Sequence, residues 1–216
     1  MGTITTIEVQ KRNKERANLY LDGEYAFSLS LVAAAQLRKG QMLTQTEIDA
    51  LQHSDAITQA VDKAAHFLAY RPRSEQEVRR NLAQKKFPEA IIEAAIERLH
   101  ELTYLNDEAF ARFWMENRQQ FKPRSPMALR HELRQKGVAN HVIELVLADV
   151  DTEDAAYRAA QERVRRLKGL DRQTFRKKLG GFLQRRGFAY GMSNTVIQRL
   201  EEELVAEDPA YFPITE

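Results

Sequence analysis

Residues 71–87 read RPRSEQEVRRNLAQKKF, and residues 122–138 read KPRSPMALRHELRQKGV. Laid over each other at an offset of 51, Arg71-Pro72-Arg73-Ser74 meets Lys122-Pro123-Arg124-Ser125. Val78, Leu82 and Phe87 meet Leu129, Leu133 and Val138. A weaker third copy follows at an offset of 50, with Leu179, Leu183 and Phe188 in the same roles. The agreement continues downstream, where Ile91, Ile96 and Leu99 match Val142, Leu147 and Val150, then Met192, Ile197 and Leu200. Self-similarity at a fixed period is the mark of tandem structural units that share a core with their neighbours. The apolar spacing inside each unit is close to 3.6 residues, so the units are helical.

Each unit is expected to hold three helices. The first helices fall at 55–70, 107–121 and 152–167, the second at 75–86, 126–136 and 172–186, and the third at 89–102, 141–150 and 193–203. The boundaries have local causes. Ser74 with Glu77 forms a capping box. Ser125 caps a helix whose first position is Pro126, where a missing N–H costs little. Pro72 and Pro123 force extended geometry on the preceding residue and so end the first helices. Gly137 and Gly187 stand where a left-handed C-cap is expected, whereas Lys86 occupies that place in the first unit and implies a different ending.

The first 30 residues follow another period. Ile7 and Val9 alternate with polar residues, as do Leu19 and Leu21, then Tyr25, Phe27 and Leu29. Asp22-Gly23 suits a tight hairpin turn. A three-stranded antiparallel sheet is expected, turning near Asn13–Glu15 and at Asp22-Gly23, with one or two short helices from 31–51 covering it. The fold class is therefore mainly α: three tandem three-helix units in an elongated or curved arrangement, preceded by a small antiparallel β-sheet. The segments are 1–53 for the sheet with short helices, 54–105, 106–150 and 151–204 for the units, and 205–216 for an acidic tail.

Of the 216 residues, 43% are hydrophobic and 30% charged, enough apolar material for a core. There is no cysteine, which excludes disulfides and thiolate chemistry and fits a reducing cytoplasm. No apolar run reaches the roughly 18 residues of a membrane span, and Met1–Gln10 lacks a signal-peptide pattern. A search for chemistry is negative. The five histidines form no H-E-x-x-H pair, and no phosphate-binding glycine loop or nucleophile elbow is present. Asp107-Glu108 and Asp151 with Glu153-Asp154 sit at helix starts, where the helix dipole favours acids. Neither an enzyme, a cofactor nor a metal is expected.

The net charge of +2 conceals segregation. Residues 158–186 hold eleven Arg or Lys against Glu162 and Asp171, while residues 201–216 hold six acids and no base. The second helices and the corners before them carry most of the cations. Candidate partner-binding residues are Arg71, Arg73, Arg79, Lys122, Arg124, Arg130, Arg134, Arg172, Arg176, Lys177, Arg185 and Arg186. A basic ridge of this kind suits phosphates or an acidic protein groove. The competing reading is internal pairing with the third helices, which in the first unit carry Glu89, Glu93, Glu97 and Glu101. Phe110, Phe113 and Trp114 are expected in the core, and Tyr70 and Phe121 at unit corners. Gly180-Gly181 inside a helix implies either a close helix approach or a kink.

Several stretches resemble long members of the RecX family. They are Ile7-Glu8-Val9-Gln10-Lys11-Arg12-Asn13, the hairpin Tyr20-Leu21-Asp22-Gly23-Glu24-Tyr25-Ala26-Phe27, Leu37-Arg38-Lys39-Gly40-Gln41, Tyr70-Arg71-Pro72-Arg73-Ser74-Glu75, Tyr104-Leu105-Asn106-Asp107-Glu108-Ala109-Phe110, Leu129-Arg130-His131-Glu132-Leu133-Arg134 and Leu183-Gln184-Arg185-Arg186-Gly187-Phe188. The resemblance spans most of 3–203. It implies tandem three-helix units in a bacterial cytoplasmic protein. Such a protein would bind the RecA recombinase, chiefly as a filament on single-stranded DNA, and modulate, usually inhibit, strand exchange and co-protease activity. The family supplies no catalytic residues to carry over. A monomer, without membrane contact, is expected. The alternative reading is a nucleic-acid-binding helical protein, on single- or double-stranded DNA, whose second helices touch phosphates directly.

Overall fold

Alternation in the first 30 residues places Ile4, Ala17, Leu19, Phe27 and Leu29 on one buried face. In the computed structural model, which describes residues 1–213, these residues build β1 (Gly2–Val9), β2 (Arg16–Leu21) and β3 (Glu24–Ser30). Ile7 faces Leu19, and Leu19 faces Phe27 across antiparallel ladders. Asp22 (φ 51°) and Gly23 (φ 89°) turn the hairpin with both backbones left-handed, as its right-handed twist requires. The sheet has four strands, not three, in the order β3-β2-β1-β4. The added strand β4 is only Met42–Leu43, paired with Gly2 and Thr3. Two residues carry no alternation, which is why periodicity misses it.

After a single turn of helix, α1 (Leu31–Ala34), and β4 comes α2 (Gln45–Leu68). It begins well before the expected residue 55, so the expected segment boundary at 53/54 falls inside it. Thr44 starts it with a capping box to Glu47. Its early turns pack Ile48 under the sheet with Leu43 and Ala34, and its later turns give Ala60 and Ala64 to the first helical core. Between them Asp55, 6% exposed, accepts from Arg16 Nη2 at 2.7 Å, the Ser30 amide at 2.8 Å and Gln59 at 2.7 Å. That buried pair ties sheet to helix. α3 (Glu75–Gln84) and α4 (Glu89–Glu101) complete the unit around Val78, Leu82, Ile92, Ile96 and Leu99. Full burial of each such side chain is worth roughly 1.5–3 kcal/mol.

The chain divides into two compact bodies, 1–105 and 106 onward. The second body holds α5 (Asp107–Phe121), α6 (Pro126–Gln135) and α7 (Asn140–Leu147) around Phe110, Leu129, Leu133 and Ile143. It also holds α8 (Thr152–Val164), α9 (Arg172–Arg185) and α10 (Tyr190–Glu207) around Phe175, Leu179, Leu183 and Ile197. Four wholly buried alanines of α8, at 155, 156, 159 and 160, let its backbone lie close to its neighbours. The capping box at Ser74 and the Ser125–Pro126 start are present as expected.

The second helices all end alike. The backbone N–H groups of Phe87, Val138 and Phe188 donate to the carbonyls of Leu82, Leu133 and Leu183 respectively, and the residue before each is left-handed. This is a Schellman ending. Lys86 adopts it at φ 64° beside Gly137 at 83° and Gly187 at 88°, so the lysine does not change the cap but bears its strain. Gly187 is needed for space too. A Cβ there would sit 2.5 Å from Ser125 Oγ and 2.8 Å from Ala128 Cβ, where the corner of α5–α6 abuts the end of α9.

Three further expectations need correction. Phe113 is 37% exposed, because it lies off the stripe shared by Phe110 and Trp114. Tyr70 and Phe121 do not pack at corners; they are 85% and 67% exposed. Gly180-Gly181 neither breaks the helix nor marks a tight crossing. α9 runs through both, and a Cβ on Gly180 would meet Ile197 at an ordinary 3.6 Å. Beyond α10 the acidic segment folds back, so that Phe212 lies 5.1 Å from Phe175. Residues 214–216 of that segment lie outside the described residues.

Candidate functional site

Surface arginines seek carboxylates, and helices that pack side by side bring them together. Arg79 on α3 grips Glu93 on α4, with Nη2 to Oε2 at 3.0 Å, and donates from Nε to Glu75 at 2.6 Å. Glu75 in turn lies 2.8 Å from His100. Fifty-one residues on, Arg130 of α6 makes the same clamp to Glu144 of α7 through two bonds of 2.7 Å. These contacts leave a chemical trace. The hydrogen bond from Arg79 holds the Glu93 carboxyl below its usual value, and that from Arg130 does so for Glu144. On α9, Arg176 reaches buried Glu201 of α10 with bonds of 2.6–3.0 Å.

The other candidates scatter. Arg71 pairs with Glu77 at 3.0 Å, and Arg73 lies over the Phe67 ring at 3.6 Å. Arg124 Nε stands 3.0 Å from Glu132 but lacks the alignment of a hydrogen bond. Arg134 donates to Asn140 at 2.9 Å. Arg172 covers Phe212 at 5.2 Å. Arg186 donates to the Pro123 carbonyl at 2.9 Å. Burial lowers its basicity, against the field of Glu162 and with that of Arg124. Lys122, Lys177 and Arg185 are exposed and make no ion pair among the described residues.

The described residues of the second body also form a groove and a cleft. One is a groove of about 550 Å³ between α9 and α10, lined by Lys177, Gly180, Gly181, Gln184, Tyr190 and Asn194. Gly180 and Asn194 hold the places of Arg130 and Glu144, so the clamp of the earlier units is missing and the groove lies in its place. The other is a cleft of about 840 Å³ where the end of α5 meets α8, α9 and α10. Its rim carries Arg158, Arg163, Arg165, Arg166 and Arg186 against Glu162, Glu203 and Glu207. Arg163 and Arg186 sit over the Phe182 ring at 5.6 and 4.8 Å. Sequence reasoning selected Arg186 but not Arg163, Arg165 or Arg166. The charge run 158–186 contains them; what it lacks is the direction each side chain takes.

Family models for RecX cover the chain in order. The "Regulatory protein RecX N-terminal domain" matches residues 2–44, and the first, second and third three-helix domains of RecX match 60–99, 106–147 and 151–197. The chain belongs to the RecX family. A regulatory protein RecX of Bacillus velezensis is 32% identical over 208 residues, which is 94% of this chain and 79% of that one. The Bacillus subtilis protein of the same name is 33% identical over 209 residues, 94% and 79% of the two chains. A crystal structure of a regulatory protein RecX superposes with TM-score 0.73 at 26% identity, covering 92% of this chain and all of that one. That of RecX from Lactobacillus salivarius, at 22% identity, shares the fold with TM-score 0.60 over 69% of this chain and 99% of its own. The three repeats read from the sequence are thus the three RecX helical domains. Among the described residues no helix is long and apolar enough to cross a membrane.

Proposed function

We propose that this RecX-family chain is a non-enzymatic regulator. It binds the RecA recombinase, chiefly as the filament on single-stranded DNA, and lowers recombinase and co-protease activity. The observation that carries this reading is the family match, in order, of all four RecX domains, with relatives named as regulatory proteins. The chain acts in the cytoplasm, in DNA repair and the SOS response, and as a monomer. Lys122, Lys177 and Arg185, which have no carboxylate partner among the described residues, supply partner contacts. The reading in which the second helices grip DNA phosphates has less support, because Arg79, Arg130 and Arg176 already face carboxylates.

The test is binding to single-stranded DNA alone and to RecA filaments on the same DNA, at low and near-physiological salt. Tight filament binding that survives salt is the expected result, because an interface with an apolar centre depends less on salt than phosphate contacts do. Equal binding to both, lost together as salt rises, would overturn the RecA reading.

A further inference from the structure

In the α9–α10 groove the repeat keeps its packing and drops its polar cover. Leu179, Leu183 and Ile197 stay buried, as Leu129, Leu133 and Leu147 do in the unit before. The bridging side chains are what changes. Arg130 with Glu144, and Arg79 with Glu93, are replaced by Gly180 with Asn194. The volume left open lies within the roughly 300–1,000 Å³ of ligand sites.

The groove lining that takes the clamp's place is mostly neutral and offers both kinds of hydrogen-bonding group. The carboxamides of Gln184 and Asn194 each carry an acceptor and two donors. Neither side chain makes a hydrogen bond among the described residues. Gln198 beside them donates to Glu202 at 3.1 Å. Gly180 and Gly181 place no side chain in the groove, so another backbone can come close to α9. Tyr190, 69% exposed, lies at the end where α9 runs into α10. Lys177 lies toward the opposite end, next to the Arg176–Glu201 pair, and has no carboxylate of its own among the described residues.

Phosphates match this lining poorly. They only accept hydrogen bonds, so the carboxamide oxygens would go unmet, and Lys177 alone supplies little charge for them. An extended peptide matches well. Its N–H and C=O groups alternate as donors and acceptors along the chain, which carboxamides can meet in pairs. An exposed tyrosine beside them offers a rigid aromatic anchor of the kind that dominates protein interfaces.

We infer that the α9–α10 groove holds an extended peptide segment of the RecA subunit, with an acidic side chain set against Lys177. This rests on the RecA reading and adds to it the place and the mode of contact.

The test puts the missing clamp back. Gly180→Arg/Asn194→Glu leaves the net charge unchanged and copies the pair found in both earlier units. A Cβ at 180 meets Ile197 at an ordinary 3.6 Å, so a side chain fits there and the thermal melt should be no lower than wild type. Binding is measured on RecA filaments formed on single-stranded DNA and, in parallel, on the bare strand. Filament affinity should fall at least about tenfold, the loss of one interface anchor. Bare-strand affinity should stay within about twofold, because no charge is lost. Lys177→Glu should weaken filament binding several-fold, whereas Lys63→Glu, the same change on an exposed residue of the first body, should not. Tyr190→benzoylphenylalanine, irradiated on the filament, should crosslink to a RecA peptide bearing Asp or Glu. Asn140→benzoylphenylalanine, at the equivalent place in the second unit, should not.

A clamp-grafted chain that binds the filament like wild type would overturn the inference. So would a graft that loses filament and bare strand together, which would place nucleic acid in the groove. Crosslinks to DNA alone, or equal crosslinks from 190 and 140, count against it in the same way. If the graft does not fold, the Lys177 variant and the crosslinks decide on those terms. Wild-type chain that fails to bind the filament brings down the RecA reading and the inference together. Wild type and graft that both bind bring down the groove assignment only.

Discussion

The α3/α4 and α6/α7 pairs are latched by an arginine–glutamate clamp at equivalent places, whereas α9/α10 is not. In the third pair the arginine has become Gly180 and the glutamate Asn194, and a groove opens where the clamp would lie. The pair stays together by other means. Arg176 reaches Glu201 further along, and Phe175 carries an aromatic cap of Tyr211 and Phe212. A repeat can thus conserve its apolar core while its polar latch moves. Apolar packing must fill a volume shared by three helices, but an ion pair needs only two residues facing each other.

The comparison can be broken most forcefully at the second-helix endings. Gly187→Ala should cost about 2–4 kcal/mol, from the left-handed backbone and from crowding against Ser125 and Ala128. A loss of only a few tenths in urea unfolding would show that the α6–α9 corner yields. Next comes the displaced latch. Arg176→Ala leaves Glu201, only 5% exposed, without its cation and should cost about 2 kcal/mol, below the usual figure for a buried pair because the arginine is half-exposed.

Gly180→Ala should act in the opposite direction and stabilise by up to about 1 kcal/mol, since the methyl meets only Ile197 at contact distance. A destabilised variant would mean that α9 needs the glycine for its own packing. Lys86→Gly should stabilise the first unit by about 0.5–1 kcal/mol by removing strain at φ 64°. Last is pH. The Glu93 and Glu144 carboxyls are held below the usual 4.5 by their arginines. A carboxyl with a lowered folded value adds stability above its unfolded value, and that contribution fades as pH falls through the folded one. Carbon NMR titration should therefore place both midpoints below 4.5, while Asn194 offers nothing to titrate.

Much of this architecture is legible in the chain. The stripes of Leu82, Leu133 and Leu183 give the units, and Ser74, Ser125 and the glycines at 137 and 187 bound the second helices to within a residue or two. Such signals are local: a cap or a helical stripe is decided by residues three or four apart. The start of α2 was hidden because the sheet-covering residues Ile48 and Leu51 and the unit's own Ala60 and Ala64 serve two cores on one uninterrupted helix. The site was far less legible. Charge counts find the basic stretch 158–186 but treat Arg176, bound to Glu201, and Arg166, which makes no ion pair among the described residues, as equals.

By itself, then, the sequence determined the class of every long element, the threefold repeat, the absence of thiol chemistry and the family resemblance, because each depends on residue type and short spacing. Only the tertiary structure decided that β4 closes the sheet, that Asp55 is a buried partner of Arg16, and that Arg79, Arg130 and Arg176 face carboxylates of the neighbouring helix while Arg165 and Arg166 make no ion pair among the described residues. Those outcomes turn on which groups meet across 14 to 41 residues of chain, and electrostatic consequence follows that meeting rather than composition.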